Sequence, residues 1–269
     1  MRVGWLSTGR DQAACNLLAD VVARAQQDDV PLDIGAVFCD RERGEAPESD
    51  RFLDLVDRLD IPAVTLSSRA SWAEAQRLGV SRTDWRNEYH RGVAELLIPH
   101  RIGVLVLAGY MLIASPALCR KYAMLNLHPA LPGGPKGMWQ QVIWELMESG
   151  ADETGAMVHL ATAQLDRGPV VSYFRFPLRG ADWDPLWSRY RAKRKTLSVE
   201  QIAATEGEEE PLFAEIRRRG EIREIPLLYH TIRQFAEGKL NTASGCVFAE
   251  SSRRPLDLTE EVDAEVTGG

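Results

Sequence analysis

The 269-residue sequence has only four cysteines, Cys15, Cys39, Cys119 and Cys246, with no CxxC pair and no His-Cys ligand spacing among them. Its five histidines form no HExxH motif, so no metal site is expected, and the cysteines read as free thiols of a reducing compartment. No apolar run approaches the ~20 residues of a membrane span, and the first residues lack the charged-then-apolar layout of a secretion signal. The expectation is a cytoplasmic chain without membrane contact. Basic residues do not dominate either: 32 Lys and Arg stand against 39 Asp and Glu, a formal charge of -7. That balance lacks the electrostatic footprint of a nucleic-acid partner. Internal repeats are absent too. What is present is ordinary globular material, 45% hydrophobic and 26% charged, which suits a packed core rather than disorder.

Periodicity then gives the fold class. Residues 2–6, 32–39, 61–66, 104–108 and 124–127 are short apolar runs, and 14–26, 52–59, 85–98 and 115–122 carry apolar residues at helical spacing. Ser115-Pro116 is a helix start. Such alternation predicts an α/β fold: a doubly wound, mainly parallel, Rossmann-like sheet with helices on both faces. Residues 155–160 and 170–178 flank a turn at 165–169 and predict an antiparallel addition at one edge. Over 182–210 the apolar pattern fades into a basic cluster (189–195) and an acidic one (206–210), which reads as an exposed insertion. A helix is expected over 211–238, with Ile225, Leu228, Ile232 and Phe235 facing the core and Pro226 kinking or splitting it. Residues 245–258 suggest a hairpin, followed by a mobile acidic tail.

Parallel sheets bind ligands at the carboxyl ends of their strands, here after Leu6, after Ala108 and around Leu127. The last of these is Asn126-Leu127-His128-Pro129. Alternation places Asn126 and His128 on one face of the strand. Histidine suits proton management near neutral pH, and an amide suits a developing oxyanion. Downstream, His159 precedes the turn Leu165-Asp166-Arg167-Gly168-Pro169. Asp166 reads either as an Asx-turn residue or as a carboxylate that orients a histidine.

The Asn-x-His-Pro strand end, the Gly-x-x-Val-His strand and the Leu-Asp-x-Gly-Pro turn together resemble the folate-dependent formyltransferases. The likeness is strongest to the branch that serves purine synthesis. It covers residues 1–240, apart from the insertion, and implies a catalytic domain there with an appended 241–269. It implies catalytic roles for Asn126, His128 and Asp166, and 10-formyltetrahydrofolate as co-substrate with no metal. Met111, Leu112, Ile113 and Leu165 would line the pterin pocket. Thr8, Gly9, Arg10, Asp11, Glu221 and His159 would meet the second substrate, a phosphorylated amine, with glycinamide ribonucleotide the implied acceptor. The partners implied are thus small molecules, and the oligomeric state stays open.

Two departures from the family pattern bear on the acceptor. The family's Ser-Gly-x-Gly-Ser-Asn loop cradles a phosphate on backbone N–H groups. Here it reads Ser7-Thr8-Gly9-Arg10-Asp11-Gln12, so Arg10 is expected to clamp the phosphate and Asp11 to cap the next helix. The family's loop arginine near the folate is Leu112. Another amine such as an amino sugar nucleotide, hydrolysis of the formylfolate, and a non-catalytic folate or nucleotide sensor therefore remain as alternatives.

Overall fold

The apolar runs of the first half become strands because both of their faces are covered. In the computed structural model, which describes residues 1–164, 167–243, 246–249 and 255–268, β1 (Arg2–Ser7) is buried from Val3 onward. It pairs in parallel with β2 (Asp33–Cys39) on one side and with β4 (Val104–Leu107) on the other. β3 (Ala63–Thr65) continues the sheet beyond β2, and β5 (Met124–His128) beyond β4, again in parallel. A strand with helices over both faces has no polar side to alternate with, hence the unbroken hydrophobic sequence.

The intervening helices are α1 (Gln12–Gln27), α2 (Pro47–Arg58), α3 (Ser68–Arg77), α4 (Arg82–Leu97) and α5 (Pro116–Lys121). Four of these five starts carry a side-chain cap. Asp11, Ser67, Ser81 and Ser115 are extended residues whose side chains accept a backbone N–H of the first turn, and a cap of this kind is worth about 1 kcal/mol. Pro116 sits where its missing N–H has no partner to lose. Fully buried Trp5, Leu6, Phe38, Phe52 and Val93 fill the layers, each contributing roughly 1.5–3 kcal/mol of burial.

Further on come α6 (Trp139–Ser149), β6 (Glu153–Leu160), β7 (Val170–Pro177), α7 (Asp184–Arg194), α8 (Val199–Thr205) and α9 (Pro211–Ala236). β8 (Leu240–Ala243), β9 (Cys246–Ala249), β10 (Leu256–Asp257) and α10 (Thr259–Gly268) complete the chain. The eight strands of the main sheet run β10-β7-β6-β5-β4-β1-β2-β3. This is the expected mainly parallel, Rossmann-like arrangement. β6 and β7 are antiparallel: Leu160 N–H donates to Pro169 O at one end of the hairpin, and Leu178 N–H to Asp152 O at the other. The outermost strand is β10, parallel to β7.

The chain divides into two compact units. One holds Met1–Asn126, His159–Pro169 and Thr231–Arg254; the other holds Leu127–Val158, Val170–His230 and Pro255–Gly269.

Three expectations need correction. Residues 182–210 are not an exposed excursion: α7 and α8 bury Trp183, Trp187, Tyr190, Val199 and Ile202, aromatics and aliphatics at helical spacing that the surrounding charges disguise. Lys193 pairs with Glu206 and with buried Glu210, and Glu210 in turn accepts the N–H groups of Leu212 and Phe213 at the start of α9. Of the kink or split expected at Pro226, the split does not occur, since α9 runs through that position. The carbonyl that loses its partner belongs to Ile222, an exposed residue, so solvent can satisfy it. The acidic C-terminus is a helix rather than a loose tail. Leu258 and Val262 bury at i, i+4 spacing, and Asp263 and Glu265 pair with Arg223 and His230. The turn of the hairpin expected at 245–258 lies outside the described residues; just before it, β8 and β9 form an antiparallel pair.

Candidate active site

The first loop is built around Thr8 and Gly9. Gly9 has φ +58, and a Cβ on it would sit 2.8 Å from Phe52 Cβ, so both the turn and the close approach of α2 require glycine. Thr8 is buried. Its N–H donates to Gly109 O at 3.1 Å, its hydroxyl accepts from Met111 N–H at 3.0 Å, and its carbonyl accepts from Ser49 Oγ at 3.0 Å. Thr8 thus ties the first loop to the loop after β4. Asp11 caps α1 through Ala14 N–H at 3.0 Å, as expected. Arg10 is exposed, with its Nε on Asp11 at 3.2 Å, leaving both Nη groups clear of hydrogen bonds within the described residues.

The loop after β4 places Met111 and Ile113 half in solvent, while Leu112 packs against the apolar cluster around Phe38 and Tyr110. Of the three residues expected at a pterin ring, two offer exposed apolar surface and one supports the loop from below.

On β5 and β6 the structure brings together Asn126 and His159. Asn126 Nδ2 lies 3.2 Å from His159 Nε2, and His159 Nδ1 lies 3.0 Å from Leu160 O. A carbonyl only accepts, so Nδ1 carries the proton and Nε2 accepts from the amide. His128, buried at the end of β5, directs Nε2–H to Pro135 O at 3.0 Å. Leu165 and Asp166 lie outside the described residues. The turn's glycine is explained by its neighbour: a Cβ on Gly168 would fall 1.6 Å from Leu160 O.

The second unit contributes a residue that sequence reasoning passed over. A cavity of about 20 Å³, room for about one water, is lined by Trp139, Gly155, Ile216, Arg217, Gly220 and Glu224. Glu224 is 18% exposed, with Arg217 Nη1 2.6 Å away. Burial raises its carboxyl above the usual range despite that guanidinium. Glu221, the expected substrate contact, is 60% exposed and meets Arg217 at 3.3 Å. The signal for Glu224 was in the sequence. Ile216, Gly220 and Glu224 recur every four residues, so the carboxylate falls on the buried stripe of α9. Arg217 also stacks on Trp139, 4.6 Å from its ring centre.

Among the described residues no group of three or more His, Cys, Asp or Glu side chains is placed to hold a metal, and no helix is long and apolar enough to cross a membrane.

A mainly parallel sheet with polar groups gathered at its strand ends defines a Rossmann-like α/β protein. The formyl transferase family model matches residues 13–182, and the chain belongs to that family. Phosphoribosylglycinamide formyltransferase of Escherichia coli (strain K12) is 34% identical over 117 residues, 43% of this chain and 54% of that protein. The chain thus spans about half the length of this curated relative. Glycinamide ribonucleotide transformylase 1 from Symbiobacterium toebii has a TM-score of 0.60 at 24% identity, covering 96% of this chain and 94% of that one. A formyltetrahydrofolate deformylase from Pseudomonas syringae pv. tomato has a TM-score of 0.56 at 22% identity, covering 92% and 65%. Those two structures establish the fold.

Proposed function

We propose that this chain transfers the formyl group of 10-formyltetrahydrofolate to the primary amine of glycinamide ribonucleotide, with residues 1–240 as its catalytic domain. The observation that carries this reading is the Asn-x-His end of β5, with the Asn126 amide held by His159. In the reaction the amine nitrogen attacks the formyl carbon, and the carbonyl electron pair moves onto oxygen. An amide nitrogen has two N–H groups. One of Asn126's is committed to His159, and the other is left for the oxyanion. His128 supplies the second donor once the formyl oxygen takes the place of Pro135 O. Gly133 and Gly137, at φ +82 and +106, give that segment its left-handed turns. Collapse of the intermediate breaks the bond to folate N10. The proton lost by the amine reaches N10 through His128 and Asp166 acting as an acid–base pair. No side chain need act as a nucleophile.

The substrates are small molecules and the setting is the cytoplasm, in keeping with the unpaired buried thiols of Cys15 and Cys39. The test is incubation with 10-formyltetrahydrofolate with and without glycinamide ribonucleotide, following tetrahydrofolate and formate. Acceptor-dependent tetrahydrofolate without formate is the expected outcome. Formate release without acceptor would replace transfer by hydrolysis, the reading suggested by the deformylase neighbour and by a first loop whose arginine is paired with Asp11.

A further inference from the structure

The loop that joins β4 to α5 exposes Met111 and Ile113 and has no helical or strand hydrogen bonding of its own. Two side chains nevertheless fix it. His90, fully buried on α4, accepts Ser115 N–H on Nδ1 at 3.3 Å. Its Nε2 lies 3.0 Å from Tyr110 Oη, and the Arg86 backbone gives the ring a further partner within α4. One imidazole therefore grips the loop at both ends. Burial keeps it neutral by pulling its pKa down to about 4. From the opposite flank Thr8 holds Gly109 O and Met111 N–H. Between these anchors the N–H groups of Leu112, Ile113 and Ala114 make no hydrogen bond within the described residues.

Backbone donors without a hydrogen bond among the described residues, beside exposed Met111 and Ile113 on a loop pinned at each end, suit a flat heteroaromatic ring with polar atoms along one edge. Such a site binds well only if it is formed beforehand, since ordering a loop on binding subtracts from affinity. We propose that His90, with Thr8 opposite, is a positioning residue that preforms the 109–115 loop for the pterin ring of the folate. This rests on the folate reading under Proposed function. It adds to it a buried residue that touches no substrate.

The test is anaerobic titration of tetrahydrofolate into wild type, His90→Phe, Tyr110→Phe and the double variant by calorimetry, with thermal melts and amide exchange of the unliganded proteins. Expected are an about tenfold rise in Kd for His90→Phe, faster exchange at Ser115, unchanged exchange in β4, and a double variant no worse than His90→Phe. In turnover assays the KM for the formylfolate should rise while kcat at saturation holds. Should His90→Phe fail to fold, His90→Gln is the substitute. Its amide reaches the Nε2 position and keeps the Tyr110 bond, so a smaller rise in Kd with the same faster exchange at Ser115 is expected. A folded His90 variant with wild-type Kd and exchange overturns the inference alone. Wild-type protein that binds no tetrahydrofolate overturns the folate reading, and the inference with it.

Discussion

The Asn126 amide nitrogen lies 3.2 Å from His159 Nε2, and His159 Nδ1 lies 3.0 Å from Leu160 O. The histidine is an acceptor for the asparagine because the backbone takes its only ring proton. That bond decides which edge of the amide is available for chemistry.

His159→Leu should therefore lower kcat by about three- to tenfold, the value of one neutral hydrogen bond. Asn126→Ala, which removes the proposed oxyanion donor, should cost about a hundredfold or more. Steady-state kinetics on both variants checks this. Equal losses, or a His159 variant at wild-type rate, would separate His159 from the function of Asn126.

Glu224 gives a pH-dependent prediction whose sign follows from its raised pKa. Folding favours its protonated form, so its contribution to stability is full below the ordinary carboxyl range and is lost as pH rises through the elevated value. Glu224→Gln should raise Tm relative to wild type at pH 7, and the difference should vanish near pH 4. Thermal melts across that range are the measurement. A difference that grows as pH falls contradicts the assignment.

Gly168→Ala should disrupt the β6–β7 turn, since its Cβ would fall 1.6 Å from the Leu160 carbonyl oxygen and backbone cannot move aside cheaply. A loss of about 2–4 kcal/mol is expected from chemical unfolding. Gly220→Ala is the contrasting case. It lies in α9 with open space around it, and alanine should stabilise the helix by up to about 1 kcal/mol.

Arg10 and Asp11 separate binding from folding within one salt bridge. Asp11→Ala removes the cap of α1 and should lower stability by about 1 kcal/mol. Arg10→Ala should leave Tm unchanged, because exposed pairs contribute little. It should raise the KM for glycinamide ribonucleotide roughly tenfold if the guanidinium clamps the phosphate. An unchanged KM would move the phosphate elsewhere.

The β-α succession of the first half was legible because a strand buried on both faces must be apolar throughout, as residues 104–107 are. Asn126 and His128 were legible as a strand-end pair, but the role of Thr8 was not. Its hydroxyl meets a backbone N–H 103 residues away, and no local pattern encodes such a contact. The helices at 184–205 were hidden for a different reason. Trp187 and Tyr190 carry their burial signal among five basic residues, and long cationic side chains can cover an apolar face without leaving solvent. Glu224 shows the converse, a charge on the buried stripe whose spacing pointed inward while its residue type pointed outward.

Thr8 belongs to the first loop by sequence and to the second by hydrogen bonding. If the two proposed substrates touch those loops, any displacement of Thr8 by one is felt by the other. Whatever factor an acceptor imposes on folate affinity by shifting Thr8, the folate must impose on acceptor affinity, because linkage is reciprocal. The order in which the two substrates arrive then changes the path to the ternary complex but not its depth.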